Sequence, residues 1–244
     1  MRLTRIYTTQ ALRSGASFVL EPEPSRHIAR ALRMSAGDTL ILFDGRGGEY
    51  PATIDSIDKK HVSVTTGDHD SVERESPLAL HLGIAMSRGD RFDWVVQKAT
   101  ELGVNSITPL ETERTGVKLK GERLEKKLGH WRQVAISACE QCGRNCLPHI
   151  TEVADVQGWL DACDAELKLV LHHRADGAAA LPTRVASAAL LVGPEGGLSD
   201  AEIAAAQAAG CRALAIGPRV LRTETAPLAA LALLQGRWGD MHIV

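Results

Sequence analysis

Leu191-Val192-Gly193-Pro194-Glu195-Gly196-Gly197-Leu198-Ser199-Asp200-Ala201-Glu202 is the stretch on which the reading of the fold turns. An apolar strand ending at Val192 runs into a loop with three glycines and a proline within five residues. Ser199 and Glu202 then stand at capping-box spacing, which starts a helix. Strand, glycine loop and helix in that order are the unit of an α/β layer structure. Glycines at a strand's carboxyl end let a ligand approach the backbone closely and meet its N–H groups. Open α/β sheets bind ligands at that edge. A plain strand-to-helix connection would need fewer glycines. The loop is not a Walker A motif, because no Gly-Lys-Ser/Thr follows, and it lacks the G-x-G-x-x-G spacing of a dinucleotide site.

A second loop of this kind follows the next strand. In Ala215-Ile216-Gly217-Pro218-Arg219-Val220-Leu221-Arg222-Thr223-Glu224-Thr225-Ala226, Gly-Pro again ends a strand. Thr225 is the expected N-cap of a last, well-buried helix running from Ala226 to Trp238. Two Gly-Pro loops at one sheet edge can wall a single pocket, while Arg219, Arg222 and Glu224 do not read as core. Further out, the short apolar runs Leu78–Ala85, Leu167–His173, Ala188–Gly193 and Ala213–Gly217 alternate with helical segments. That alternation is the mark of a largely parallel sheet. Phe92, Val95, Val96, Ala99 and Leu102 keep helical spacing, as do Leu124, Leu128, Trp131, Ala135 and Cys142.

Before residue 75 the chain has a different character. Arg5–Thr9, Thr39–Asp44, Glu49–Ile57 and His61–Thr66 are rich in β-branched and aromatic residues and read as strands. Gly45-Arg46-Gly47-Gly48 joins two of them as a hairpin. One helix is expected over Pro24–Arg33, with Ile28, Ala31 and Leu32 toward a core and Arg26, Arg30 and Arg33 on another face. The charged stretch Asp68–Pro77 reads as a linker. The expectation is therefore a small β-rich module over 1–72 and an α/β domain over 76–244.

Composition sets the outer limits. The chain has 244 residues, 44% hydrophobic and 24% charged, with a net charge of -2. That is an ordinary globular composition without an overall basic signature for nucleic acid. Charge is uneven, however. Residues 1–33 carry Arg2, Arg5, Arg13, Arg26, Arg30 and Arg33 against Glu21 and Glu23, a local balance of +4. Residues 112–132 carry Arg114, Lys118, Lys120, Arg123, Lys126, Lys127 and Arg132 against Glu113, Glu122 and Glu125, again +4. Such patches bind phosphate or simply face solvent. No signal-peptide core opens the chain, no run approaches the roughly 18 apolar residues of a membrane span, and the five cysteines are odd in number. A cytoplasmic protein is expected.

No metal is expected. His172 and His173 lack carboxylate or cysteine partners at ligand spacing. Cys139, Cys142 and Cys146, spaced C-x2-C-x3-C, reverse the radical-enzyme pattern and read as buried or incidental thiols.

The paired loops, GPEGG at Gly193–Gly197 and GPRVLRTETA at Gly217–Ala226, resemble the ribosomal RNA small subunit methyltransferase E family of the SPOUT superfamily. The likeness extends over nearly the whole chain, through Arg5-Ile6-Tyr7, His27-Ile28, Leu32-Arg33-Met34, Gly37-Asp38 and Leu42-Phe43-Asp44-Gly45. It continues in Gln97-Lys98, Glu101-Leu102-Gly103-Val104 and Glu140-Gln141-Cys142-Gly143-Arg144. The resemblance implies a PUA-like RNA-binding domain, then a methyltransferase domain holding a trefoil knot, in a homodimer. It implies S-adenosyl-L-methionine as cofactor and N3 of uridine 1498 in 16S rRNA of the small ribosomal subunit as target. The cofactor contacts it implies are Leu171, His172, Gly193, Pro194, Glu195, Gly196, Gly197, Ile216, Gly217, Leu221, Arg222, Thr223, Thr225 and Ala226. The implied RNA contacts are Arg5, His27, Arg30, Arg33, Lys98, Gln141 and Arg144. Arg222 and Glu224 are the catalytic candidates. Arg222 would stabilise charge on the uracil carbonyls, and Glu224 would position the loop or help remove the N3 proton. An Arg–Glu pair that only holds the loop is the alternative. Ribose 2′-O-methylation and a non-catalytic RNA-binding assembly factor are the rival readings.

Overall fold

A computed structural model describes residues 3–58, 61–172 and 181–243. Arg2 and His173, named above, lie outside the described residues. The chain divides into two compact units, one of Met1–Glu75 with Ile136–Leu147 and one of Ser76–Ala135 with Pro148–Val244. The first unit thus takes in a segment far downstream in sequence.

Its sheet has the order β1-β3-β4-β5-β2, with strands Arg5–Tyr7 (β1), Ser17–Val19 (β2), Thr39–Phe43 (β3), Tyr50–Ile57 (β4) and Val62–Thr66 (β5). β1 runs parallel to β3, and the other pairings are antiparallel. Alternate residues face one core: Ala52 and Ile54 of β4 and Val62 and Val64 of β5 pack with Ile6, Leu40 and Leu42. β2 has only three residues and no buried one, too short for a period-two signal.

The helix differs from its expected form. It begins as α1 at Pro22–Arg26 and widens into a π turn over His27–Leu32, ending at Arg33 in the left-handed conformation at φ 54°. A π turn closes i to i+5 bonds and takes more residues per turn than an α-helix. Ile28 is therefore buried, whereas Ala31 and Leu32, expected on the same face, are turned out to solvent. Nor does Asp68–Pro77 behave as a free linker. Asp70 exchanges two backbone hydrogen bonds with Glu49, both 2.8 Å. Val72 O accepts from Asn145 Nδ2 at 2.8 Å, and Arg74 Nη1 donates to Gly143 O at 3.1 Å.

The second unit is a parallel sheet in the order β12-β10-β11-β6-β7-β8, with β9 also on β7. Its strands are Ala79–Ala85 (β6), Ser106–Glu111 (β7), His149–Ile150 (β8), Ala154–Asp155 (β9), Leu167–Leu171 (β10), Ser187–Val192 (β11) and Arg212–Leu214 (β12). The helices are Arg91–Glu101 (α2), Glu122–Cys142 (α3), whose residues from Ile136 on belong to the first unit, Val156–Ala162 (α4), Asp200–Ala208 (α5) and Thr225–Trp238 (α6). The pleat splits β10 and β11 between two cores. Leu80, Leu82, Leu190 and Leu169 meet α2, α6 and the first part of α3 on one face. Leu191, Ala189 and Val170 meet α4 and α5 on the other. Burial on both faces is why these strands read as continuous apolar runs.

β7 was not among the apolar runs of the sequence pattern, and it contains Pro109, a residue rare in a central strand. The structure accommodates it at a break. β8 pairs with Ser106 and Ile107, β9 with Leu110 and Glu111, and Pro109 falls between the two ladders. Among the described residues no helix is long and apolar enough to cross a membrane.

Candidate active site

β12, β10 and β11 lie side by side and parallel, so their carboxyl ends open at one edge. The loops after them enclose a cleft of about 380 Å³. One wall is Gly193–Leu198 after β11, another is Ile216, Gly217, Leu221, Thr223 and Ala226 after β12, and Leu171 and His172 at the end of β10 lie between them.

The first loop is shaped by its glycines and by the helix cap at its far end. A Cβ on Gly193 would stand 2.9 Å from the backbone nitrogen of buried Leu198, closer than real Cβ contacts allow. Gly197 N donates to Pro194 O at 2.8 Å, closing the turn. The capping box is present: Ser199 Oγ accepts from Glu202 N at 3.3 Å, and Glu202 Oε2 accepts from Ser199 N at 2.8 Å. In the second loop Gly217 has φ 66° with open space where a side chain would stand. Left-handed backbone favours glycine there. The N–H groups of Thr225 and Ala226 both reach Arg222 O at 2.9 Å. Thr225, expected as the N-cap, is the first helical residue, and Glu224 caps α6 without a side-chain hydrogen bond.

Along this loop Arg219, Val220, Leu221 and Thr223 line the cleft; Arg222, Glu224 and Thr225 do not. The Arg222 side chain is 80% exposed, and its Nη1 lies 3.9 Å from Oε1 of Glu224, which is 20% exposed. The cleft walls join apolar Leu171, Val192, Ile203, Leu214 and Ile216 to glycine backbone. Such a lining suits a flat, largely apolar group recognised at its edges by backbone polar atoms. His172, Glu195, Asp200, Arg219 and Thr223 line it as well.

Arg114 also lines the cleft, and the sequence pattern did not single it out as a site residue. Its Nη1 donates to Gly196 O at 3.0 Å and Leu198 O at 3.3 Å. It sits in the loop after β7, so missing that strand concealed its place at the ligand edge.

The expected RNA contacts part company. Arg5 is 8% and Arg144 4% exposed. Arg5 pairs with Glu49 and donates to the Asn145 side chain, and Arg144 grips Glu75 through Nε at 2.8 Å and Nη2 at 2.5 Å. Burial lowers the Arg144 pKa, but the Glu75 hydrogen bond and charge more than offset it and hold the guanidinium protonated. Both arginines are thus committed to the interior of the first unit, a correction to their expected role at an RNA surface. His27, Arg30, Arg33 and Gln141 are exposed. In the second unit Lys98 is paired with Glu101 at 2.7 Å and lies over the half-exposed Trp94 ring.

All five cysteines are free thiols. Hydrogen bonding to Cys142 and burial push the Cys139 thiol far up, and burial raises Cys146 to about 11. Glu73, Glu75 and Cys146 each place one ligand atom within 4.8 Å of the others, but both Glu75 oxygens are engaged by Arg144.

Comparison with known proteins bears on this cleft. A family model described as an RNA methyltransferase domain matches residues 74–235, and one described as an RNA methyltransferase PUA domain matches residues 20–66. A ribosomal RNA small subunit methyltransferase E of Buchnera aphidicola is 34% identical over 98% of each chain. The structure of a putative Legionella pneumophila methyltransferase with bound cofactor SAM matches at TM-score 0.96 and 42% identity, over 99% of this chain and 100% of that one. A ribosomal RNA small subunit methyltransferase E from Neisseria gonorrhoeae, bound to S-adenosyl methionine, matches at TM-score 0.92 and 36% identity, over 98% and 99%.

Proposed function

This chain belongs to the ribosomal RNA small subunit methyltransferase E family, and on that premise we propose that it moves a methyl group from S-adenosyl-L-methionine to N3 of uridine 1498 in 16S rRNA. The observation that carries the reading is the cleft walled by two Gly-Pro loops at the carboxyl edge of the parallel sheet. Its volume, about 380 Å³, lies within the roughly 300–1,000 Å³ of small-ligand sites. Gly193 leaves no room for a side chain and Gly217 leaves its space open, so backbone borders the donor on two sides. The residues present fit the cofactor.

The donor, when bound, supplies an electrophilic methyl whose sulfur leaves as a neutral thioether. The protein's part is alignment and exclusion of water. The apolar walls exclude water, and the loop amides and carbonyls fix the adenosyl group. Uracil N3 is a weak nucleophile until its proton departs, and negative charge then spreads to the flanking carbonyls. Arg222, exposed beside the cleft, is the cation that meets that charge. Glu224, 3.9 Å away, orients Arg222 or assists removal of the proton. The exposed His27, Arg30, Arg33 and Gln141, with Lys98, are the RNA-facing side chains. The reading includes a homodimer with a trefoil knot, acting in the cytoplasm on rRNA within the small ribosomal subunit.

The test is methyl transfer from labelled donor to 30S subunits lacking N3-methyluridine, with nucleoside analysis of the product. Label in 3-methyluridine is the expected result. Label on a ribose would make the reaction 2′-O-methylation, and no transfer with no donor binding would favour an assembly factor.

A further inference from the structure

The glycine loop after β11 is not held by its own turn and cap alone. It is gripped from two strands away. β6 lies between β11 and β7 in the sheet, yet the turn after β7 reaches across the end of β6 to the loop at two points. Arg114 Nη1 donates to Gly196 O at 3.0 Å and to Leu198 O at 3.3 Å. Next to it, Glu113 N donates to Glu202 Oε1 at 2.8 Å, while the other oxygen of Glu202 closes the capping box. The turn that presents these donors is itself fixed. Thr112 N donates to Thr115 Oγ1 at 2.9 Å, and Thr115 N to Thr112 O at 3.1 Å, with both threonines buried. The aliphatic stem of Arg114 lies against Gly196: a Cβ added there would stand 3.6 Å from its Cβ and Cδ.

From this geometry we infer that Arg114 is a positioning residue for the methyl-donor loop, anchoring the Gly196 and Leu198 carbonyls so that the loop's free amides keep one orientation toward the ligand. The inference rests on the cleft being the donor site. Carbonyls turned away and tied down leave the N–H side of the loop to the ligand, and a loop ordered beforehand spares the ordering cost of binding. The second bond, from Glu113 to Glu202, couples the same turn to the start of α5. Loop and helix therefore move as one piece. The remaining contact, the ion pair of Arg91 with Glu195 at 2.8 Å, is about half exposed at both ends and adds little.

The experiment compares the full-length wild type with Arg114→Ala and Arg114→Lys by amide hydrogen exchange without ligand and by calorimetric titration with S-adenosylmethionine. Arg114→Ala should speed exchange over residues 193–199 and leave β6 protected. It should weaken donor binding about tenfold, the scale of two lost hydrogen bonds. Arg114→Lys keeps a donor on a shorter stem and should recover part of both effects, which a general loss of folding would not allow. Wild-type exchange and affinity in both variants would overturn the inference. Should the wild type itself bind no donor, the cleft assignment fails, and the exchange of residues 193–199 still decides whether Arg114 holds the loop.

Discussion

In the first unit two ion pairs lie inside. Arg5, Glu49, Arg144 and Glu75 form ion pairs at low exposure, and Arg5 donates to the carbonyl of a residue 139 positions further along the chain. In the second unit Arg114, Glu195, Asp200 and Arg219 line the cleft beside glycine backbone and apolar side chains. Interior ion pairs of the first kind staple distant segments into one body. Cutting one partner leaves the other charged and buried. The loop glycines carry no charge to strand, so their substitution should reach the ligand before it reaches the fold. Residue type alone therefore misleads in both places: buried arginine is architecture in one unit, and glycine is the binding group in the other.

Arg144→Ala should break this comparison hardest. Leaving Glu75 unpaired should cost about 3–5 kcal/mol, read as a lowered urea midpoint, with donor affinity per folded molecule unchanged. Next, Arg222→Ala should lower kcat on the order of 100-fold, the scale for removing one charge-stabilising donor. Its denaturation midpoint should stay put, because the side chain is 80% exposed. Normal turnover would reduce the Arg222–Glu224 pair to a loop tie. Gly193→Ala should weaken donor binding about tenfold, by displacing Leu198, as a titration would record.

A smaller effect is expected from Asp93. Burial alone would raise its pKa, but hydrogen bonds from His130, Lys127 and Trp131 outweigh that and lower it. A carboxyl lowered on folding stabilises the protein fully above its unfolded pKa, about 4. That stability is lost as pH falls through the lower folded value. Asp93→Asn should flatten the acid limb of a stability-against-pH curve and change its shape little above pH of about 5. The smallest change belongs to Arg30→Ala. Stability should stay within about 0.5 kcal/mol, and the logarithmic salt slope of rRNA binding should shrink by about one.

The parts legible in the sequence were those whose cause is local. Capping box, hairpin glycines and the spacing of Phe92, Val95, Val96 and Ala99 depend on neighbours within a few residues, and the structure contains each of them. The rest depends on partners far off in the chain. Arg5 and Arg144 look like any surface arginine until Glu49 and Glu75 are brought beside them. The strand holding Pro109 was not among the apolar runs, and the break between β8 and β9 that tolerates this proline is a tertiary feature. With β7 unrecognised, Arg114 had no edge to stand on. The π turn after Arg26 likewise leaves no mark in a pattern read at α-helical period.

The most direct test of the cleft as the donor site is an amide NMR titration of the full-length protein with S-adenosylmethionine. The largest shifts should fall at Leu171–His172, Gly193–Leu198 and Ile216–Ala226, with the first unit's sheet unmoved. Shifts centred on the first unit, or none at saturating donor, would contradict it.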